Sequence, residues 1–194
     1  MNSLARELRR SLVATLGLAV ITGLLYPFVV FTTGEALFPV AAHGSLIRDA
    51  NGVVRGSRLI GQGFTRPEYF HPRPSAAGTD GYDATVSGGS NLGPTSRKLR
   101  DQLERRILQY RAENELAETQ PVPPDAVTAS ASGLDPHISE TNAALQAARV
   151  ARARGWEVAR VQTLIRAHTQ SPALPFLGPP AVNVLTLNLA LDRP

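Results

Sequence analysis

Residues 12–31 read LVATLGLAVITGLLYPFVVF, twenty positions without a charge. Wound as a helix this stretch spans about 30 Å, the hydrocarbon thickness of a bilayer. Arg6, Arg9 and Arg10 stand before it with only Glu7 against them, whereas the first charge after it is Glu35 and the next basic residue is Arg48. Basic residues collect on the cytoplasmic side of a span, so the N-terminus is expected inside. The boundaries that follow are a cytoplasmic segment 1–11, a transmembrane helix 12–33 and an extracytoplasmic domain 34–194. The alternative is a cleaved signal peptide, for which Val40-Ala41-Ala42 offers small residues, although the apolar run exceeds the usual h-region of about 7 to 15 residues. Pro27 falls inside the span, where it bends a helix or is tolerated against a neighbouring one.

Outside the span the composition narrows the function classes. The chain of 194 residues has no cysteine, which excludes a disulfide scaffold, a thiolate metal site and a cysteine nucleophile. The formal net charge of +4 is too small for a nucleic-acid footprint. Abundant glycine and proline point to a loop-rich domain.

The expected fold class is α+β: one N-terminal transmembrane helix followed by a single extracytoplasmic domain with short strands, about three helices and long Gly/Pro-rich loops. Gly44 to Gly61 predicts a hairpin turning at Asn51-Gly52, with a further short run at Leu59-Ile60. Gln62 to Pro94 has few aliphatic residues and predicts a long functional loop. Leu99, Leu103, Ile107 and Tyr110 recur at helical spacing, predicting an amphipathic helix from Thr95 to about Glu118 capped by Thr95 or Ser96. Val127-Thr128-Ala129 reads as a short strand. A second helix should run from an N-cap at Ser139 to a C-cap at Gly155, and a third from Trp156 to His168, with His168 on its core side. Alternating leucines from Val182 to Leu191 predict a closing strand.

Several clusters are candidate chemistry. Tyr69-Phe70-His71-Pro72-Arg73-Pro74-Ser75-Ala76 reads either as a recognition surface or as an ordered loop in which Phe70 plugs the core and Arg73 pairs with an acid. Ser87-Gly88-Gly89-Ser90-Asn91-Leu92-Gly93-Pro94-Thr95 leads into a helix N-terminus, which favours anions. It is no P-loop, since no lysine follows the last glycine before Ser or Thr. Ser132, Asp135 and His137 hold the residue types of a hydrolytic triad, but triad members usually converge from separate elements. The four histidines, 43, 71, 137 and 168, show no metal-binding spacing. Arg149, Arg152, Arg154 and Arg160 give two helices a basic side, either solvated or facing lipid headgroups or an acidic partner.

Together these stretches resemble the C subunit family of the bacterial Kdp potassium-transporting ATPase. The residues that carry the resemblance are Gly56-Ser57, Leu59-Ile60-Gly61-Gln62, Phe64, Pro67, Tyr69-Phe70, Arg73 to Ala76, Tyr82, Ser87 to Thr95, Val127-Thr128, Ser132 to Ser139, Arg149-Val150-Ala151, Ala153-Arg154-Gly155, Val182 to Leu185 and Leu187-Asn188. Ala131 stands where the resemblance leads one to expect glycine. The family implies an accessory, non-catalytic subunit of the bacterial inner membrane, working with a potassium-conducting subunit, a P-type ATPase subunit and a small membrane subunit. It implies assembly of the complex and a catalytic-chaperone effect that raises the ATPase subunit's affinity for ATP. The chain would bind no cofactor itself, ATP and potassium being handled by the complex. The family also implies a nucleotide-binding likeness for Ser87, Gly88, Gly89, Ser90 and Asn91. The charge asymmetry instead puts those residues outside, away from ATP, which favours docking on the conducting subunit. Candidate docking residues are Tyr69, Phe70, His71, Arg73, Ser87, Asn91, Asp135 and His137. A membrane-anchored periplasmic hydrolase and a freestanding binding module are the competing expectations.

Overall fold

The computed structural model describes residues 3–49, 51–172, 174, 176 and 178–193. Met1 and Asn2, at the head of the expected cytoplasmic segment, lie outside the described residues. The chain divides into an N-terminal unit up to Leu46 and a second unit from Ile47 onward.

The first unit is one continuous helix, Ser3–Leu37, followed by a single turn. It is longer at both ends than the expected 12–33. Three parts compose it: α1 (Ser3–Val20), a π-helical turn (Ile21–Leu25) and α2 (Tyr26–Leu37). Pro27 accounts for the π turn. Its ring nitrogen has no hydrogen to give the Gly23 carbonyl, and the helix widens just upstream, where Tyr26 N–H reaches back five residues to Ile21 O. The Thr22 hydroxyl donates to Leu18 O at 2.8 Å and that of Thr32 to Phe28 O at 2.9 Å, so neither needs a partner outside the helix. The helix is long and apolar enough to cross a membrane, and its apolar window has no buried residue. After it comes the turn α3 (Pro39–Ala42).

At the start of the second unit, from its boundary residue Leu46, the chain forms the hairpin β1 (Leu46–Arg48) and β2 (Val54–Ser57). The expected extra run at Leu59-Ile60 is not a strand: it is a turn in which Ile60 N–H donates to Ser57 O. Residues 58 to 96 hold no helix or strand, as their composition predicts. The amphipathic helix α4 runs Arg97–Asn114, and Ser96 rather than Thr95 caps it by accepting from Leu99 N–H. Glu115 ends it in the left-handed conformation.

Where a strand was expected at Val127-Thr128-Ala129, the chain forms a helical turn, α5 (Pro124–Val127). Pro124 presets the first helical position, and Thr128 closes the turn onto Pro124 O with both its N–H and its hydroxyl. Strand β3 (His137–Ser139) leads directly into α6 (Glu140–Arg154), with Ser139 as N-cap and Gly155, in the left-handed conformation, as C-cap. Next come α7 (Val158–His168), β4 (Thr169–Gln170), β5 (Ala181–Asn183) and α8 (Val184–Leu191). The sheet order β3-β5-β4 is antiparallel, with Ile138 and Thr169 both opposite Val182.

The closing segment departs most from expectation. Only Ala181–Asn183 is strand, and the alternating leucines belong to α8. Asn183 caps that helix by accepting from Thr186 N–H. Val184, Leu187, Asn188 and Leu191 repeat at helical spacing as well as the leucines alternate, and the cap decides between the two readings. Among its described residues the unit therefore has four helices of eight or more residues where about three were expected. The core joins Phe70, Ile138, Ala143, Ala147, Val150, Val161, Ile165, Val182, Leu187 and Leu191. His168 is not in it; it is half-buried, with Nδ1 at 2.9 Å from Leu164 O.

Candidate functional site

Three loops meet at Gly133. Ser75 Oγ donates to Gly133 O at 2.6 Å, Gly88 N–H to Ser132 O at 2.9 Å, Ser87 Oγ to the same carbonyl at 3.1 Å, and Gly61 N–H to Leu134 O at 2.8 Å. Gly133 sits at φ +68°, and a Cβ there would come within 2.6 Å of Gly88 O and 2.8 Å of the Ala77 backbone. Only glycine fits such an approach. Ala131 has no positive φ; its carbonyl lies 2.9 Å from where a Gly89 Cβ would be, so at this pair glycine is needed on the other loop. The segment Ser87 to Asn91 thus spends its first donors on the neighbouring loop, and Ser90 and Asn91 form its exposed tip.

The same loops carry an ionic cluster. Arg73 Nη1 donates to Asp135 Oδ2 at 2.8 Å, and Asp135 Oδ1 accepts His137 N–H at 2.9 Å with His137 Nδ1 at 3.6 Å. Burial alone would raise the Asp135 pKa, but the bonds from His137 and Arg73 outweigh it and hold the carboxyl below its usual value. Tyr82 donates its hydroxyl to Arg73 O, and its N–H donates to Ser75 Oγ. Burial pushes the Tyr82 phenol up, so it stays a donor. Ser132 Oγ instead accepts from Leu134 N–H, and among the described residues no hydrogen bond joins it to His137. Ser132, Asp135 and His137 are therefore turn-forming groups and do not assemble a triad.

Phe70 has no exposed surface and plugs the core, so it cannot serve as a docking anchor. Its N–H donates to Asn188 Oδ1, and Asn188 Nδ2 donates to its carbonyl. His71 is held in the same way by Gln146, at 2.7 and 3.1 Å. The Arg66 and Arg154 guanidinium carbons lie 4.9 and 5.0 Å from the Tyr69 ring centroid, and Tyr69 donates to Asp192 Oδ2 at 2.9 Å.

Arg149, expected on a basic helix side, is instead 6% exposed and fully engaged: it donates to Pro67 O, Tyr69 O, Asn114 Oδ1 and Gln146 Oε1. Asn142 extends this chain, accepting from Tyr110 and Gln146 and donating to Asp125, which also holds Ser139. The sequence reading missed Asn142, Gln146, Asn188 and Asp125. For Asn142 and Gln146 the signal was present: with Arg149 they repeat at helical spacing one position from the apolar stripe Ala143, Ala147 and Val150.

His71 links the network to a cleft of about 400 Å³ that is also lined by Arg73, Tyr82, Arg106 and Glu113. Its Nδ1 is 3.4 Å from Glu113 Oε2 and its Nε2 3.4 Å from Arg149 Nη1. Burial and the Arg149 charge lower its pKa, and Arg66 O and Glu113 only partly offset them.

A family profile described as KdpC, the K+-transporting ATPase c chain, matches residues 8–193. The chain belongs to the KdpC family. Curated relatives agree. The potassium-transporting ATPase KdpC subunit of Nitratidesulfovibrio vulgaris is 55% identical over 184 residues, covering 95% of this chain and 92% of its own length. That of Myxococcus xanthus is 56% identical over 174 residues, 90% and 82% of the two chains. That of Mycobacterium tuberculosis is 53% identical over 188 residues, 97% and 98%. In this member of the KdpC family the Gly133 loop cluster falls inside the matched region.

Proposed function

We propose that the chain is an accessory, non-catalytic subunit of an ATP-driven potassium uptake pump. A single span anchors it in the inner membrane, with the N-terminus cytoplasmic and residues 34–194 outside. The observation that carries this reading is the near full-length relationship to KdpC subunits, 95% of this chain against 92% of the first relative. Three arginines on one flank of the span support the orientation. The Asp-Lys-Thr-Gly motif of a P-type phosphorylation site does not occur in the sequence, and one span cannot form a pore.

On this reading the Gly133 loop cluster docks on the potassium-conducting subunit, while the ATPase subunit and a small membrane subunit complete the complex. Arg73, Ser87, Asn91, Asp135 and His137 offer polar groups to that surface, with Tyr69 and His71 behind it. ATP and potassium are handled by the partners. Any rise in the ATPase subunit's affinity for ATP is transmitted through contacts that differ between pump states. Purification from the native membrane in mild detergent tests this. The potassium-conducting and ATPase subunits should accompany the chain; recovery of the chain alone, or with an unrelated partner, would refute the assignment.

A further inference from the structure

The second unit also holds a pocket of about 320 Å³ whose walls include Ile47, Arg58, His168, Gln170, Thr186 and Arg193, none of them a residue of the Gly133 contacts. Its chemistry is one-sided. Among the described residues no acidic residue lines it, and neither the Arg58 nor the Arg193 guanidinium has a hydrogen-bond or ion-pair partner. Elsewhere the unit commonly pairs its arginines: Arg55 with Asp49, Arg73 with Asp135, Arg152 with Glu115 and Arg154 with Asp192. His168 has Nδ1 against Leu164 O, which leaves Nε2 for another partner, and Gln170 adds an amide. Two forked cations, an imidazole and an amide around one cavity match a phosphate group.

Two further observations decide which phosphate. Ile47, part of the pocket wall, lies ten residues beyond Leu37, the end of the membrane-length helix. Even fully extended, ten residues reach only about 35 Å, so this wall cannot travel far from a bilayer that holds the helix. Beside it in sequence, Leu46, Val53, Val54 and Leu59 are exposed apolar side chains on and around a hairpin whose two strands have no buried residue. Apolar side chains interspersed with arginine, next to an anchor, suit the boundary between headgroups and acyl chains.

We infer that the pocket bounded by Arg58, Arg193 and His168 binds the phosphodiester of an anionic phospholipid, giving the domain a second hold on the membrane. This rests on the helix being a membrane anchor, and not on the pump assignment or on which leaflet the domain faces. The chain has no cysteine, so Ala167→Cys on the pocket rim introduces a unique attachment point for a fluorophore. The full-length chain would be placed in nanodiscs of phosphatidylcholine with or without phosphatidylglycerol, and quenching by headgroup-labelled lipid recorded.

Quenching should rise with phosphatidylglycerol. It should return to the phosphatidylcholine level in Arg58→Ala/Arg193→Ala, an apparent lipid affinity lower by roughly 25-fold at about fivefold per arginine. Both side chains are exposed, so folding is checked independently by far-UV circular dichroism. Equal quenching in the folded double variant would overturn the inference. Inorganic phosphate occupying the site while phosphatidylglycerol has no effect would assign it to a free anion and overturn it also. Occupancy that appears only with the native partner subunits, whatever the lipid, would assign it to a protein and do the same.

Discussion

The side-chain amide of Asn188 grips both backbone groups of Phe70, 118 positions earlier in the chain, with Phe70 N–H 2.8 Å from Oδ1 and Nδ2 3.0 Å from Phe70 O. A single helical asparagine thereby does for an irregular loop what a neighbouring strand does in a sheet. It lets the chain thread a fully buried aromatic ring into the core without leaving its amide groups unpaired. Replacing Asn188 with leucine keeps the branched shape, adds bulk and strands both Phe70 groups, the stranding at about 1–3 kcal/mol each. Unfolding of the full-length chain by denaturant should show a loss of roughly 2–6 kcal/mol, and a loss below about 1 kcal/mol would mean the loop is held elsewhere.

Arg149 performs the equivalent task with four acceptors and, among the described residues, no carboxylate in direct contact. Lysine cannot reproduce a fork that reaches Pro67 O, Tyr69 O, Asn114 and Gln146 together. Arg149→Lys should therefore destabilise by about 2 kcal/mol or more despite conserving charge. The check is whether its unfolding midpoint lies near that of Arg149→Met, as expected, or near wild type.

His71 gives a pH dependence of definite sign. Its folded pKa lies below the ordinary value of 6.5, so the unfolded chain takes up a proton first as pH falls. Stability from this residue is fully present above about pH 6.5 and is lost as the pH drops through the lower folded value. The slope of unfolding free energy between about pH 5 and 6.5 should be smaller in His71→Asn than in wild type. Equal slopes would show that Glu113 compensates Arg149.

Gly133→Ala tests the loop convergence. The left-handed backbone and the approach to Gly88 O and Ala77 together should cost roughly 2–5 kcal/mol. Gly88→Ala, where a Cβ meets nothing within 4 Å, should be tolerated far better. Similar effects at both positions would contradict the geometric account of the glycines.

Much of the fold was legible because it depended on short-range signals. The charge-free run, the Ser96 and Ser139 caps, the Gly155 C-cap and the Asn51-Gly52 turn each act within a few residues. What failed depended on distant partners or on ambiguity of period. The leucines of α8 satisfy both a two-residue and a helical repeat, and only Asn183 as a cap separates them. At the site, the division of the Tyr69 to Ala76 loop into a core plug, Phe70, and a paired guanidinium, Arg73, was one of two readings its composition allowed. The spacing of Arg149 with Asn142 and Gln146 placed it beside the apolar stripe, but nothing nearby in sequence announces that its acceptors will be Pro67 O and Tyr69 O, about 80 residues away. The likeness of Ser87 to Asn91 to a nucleotide loop has a competing physical reason: Gly88 and Gly89 lie against the carbonyls of Ser132 and Ala131.

We propose that this loop cluster lies outside the membrane and docks on the potassium-conducting subunit. The most direct test is a photocrosslinking residue at Asn91, on the exposed tip, activated in intact cells and followed by identification of the captured protein. The account predicts a product joining this chain to the potassium-conducting subunit. Capture of a cytoplasmic protein, or no capture from Asn91, Ser87 or His137 in a chain that still assembles and supports transport, would contradict it.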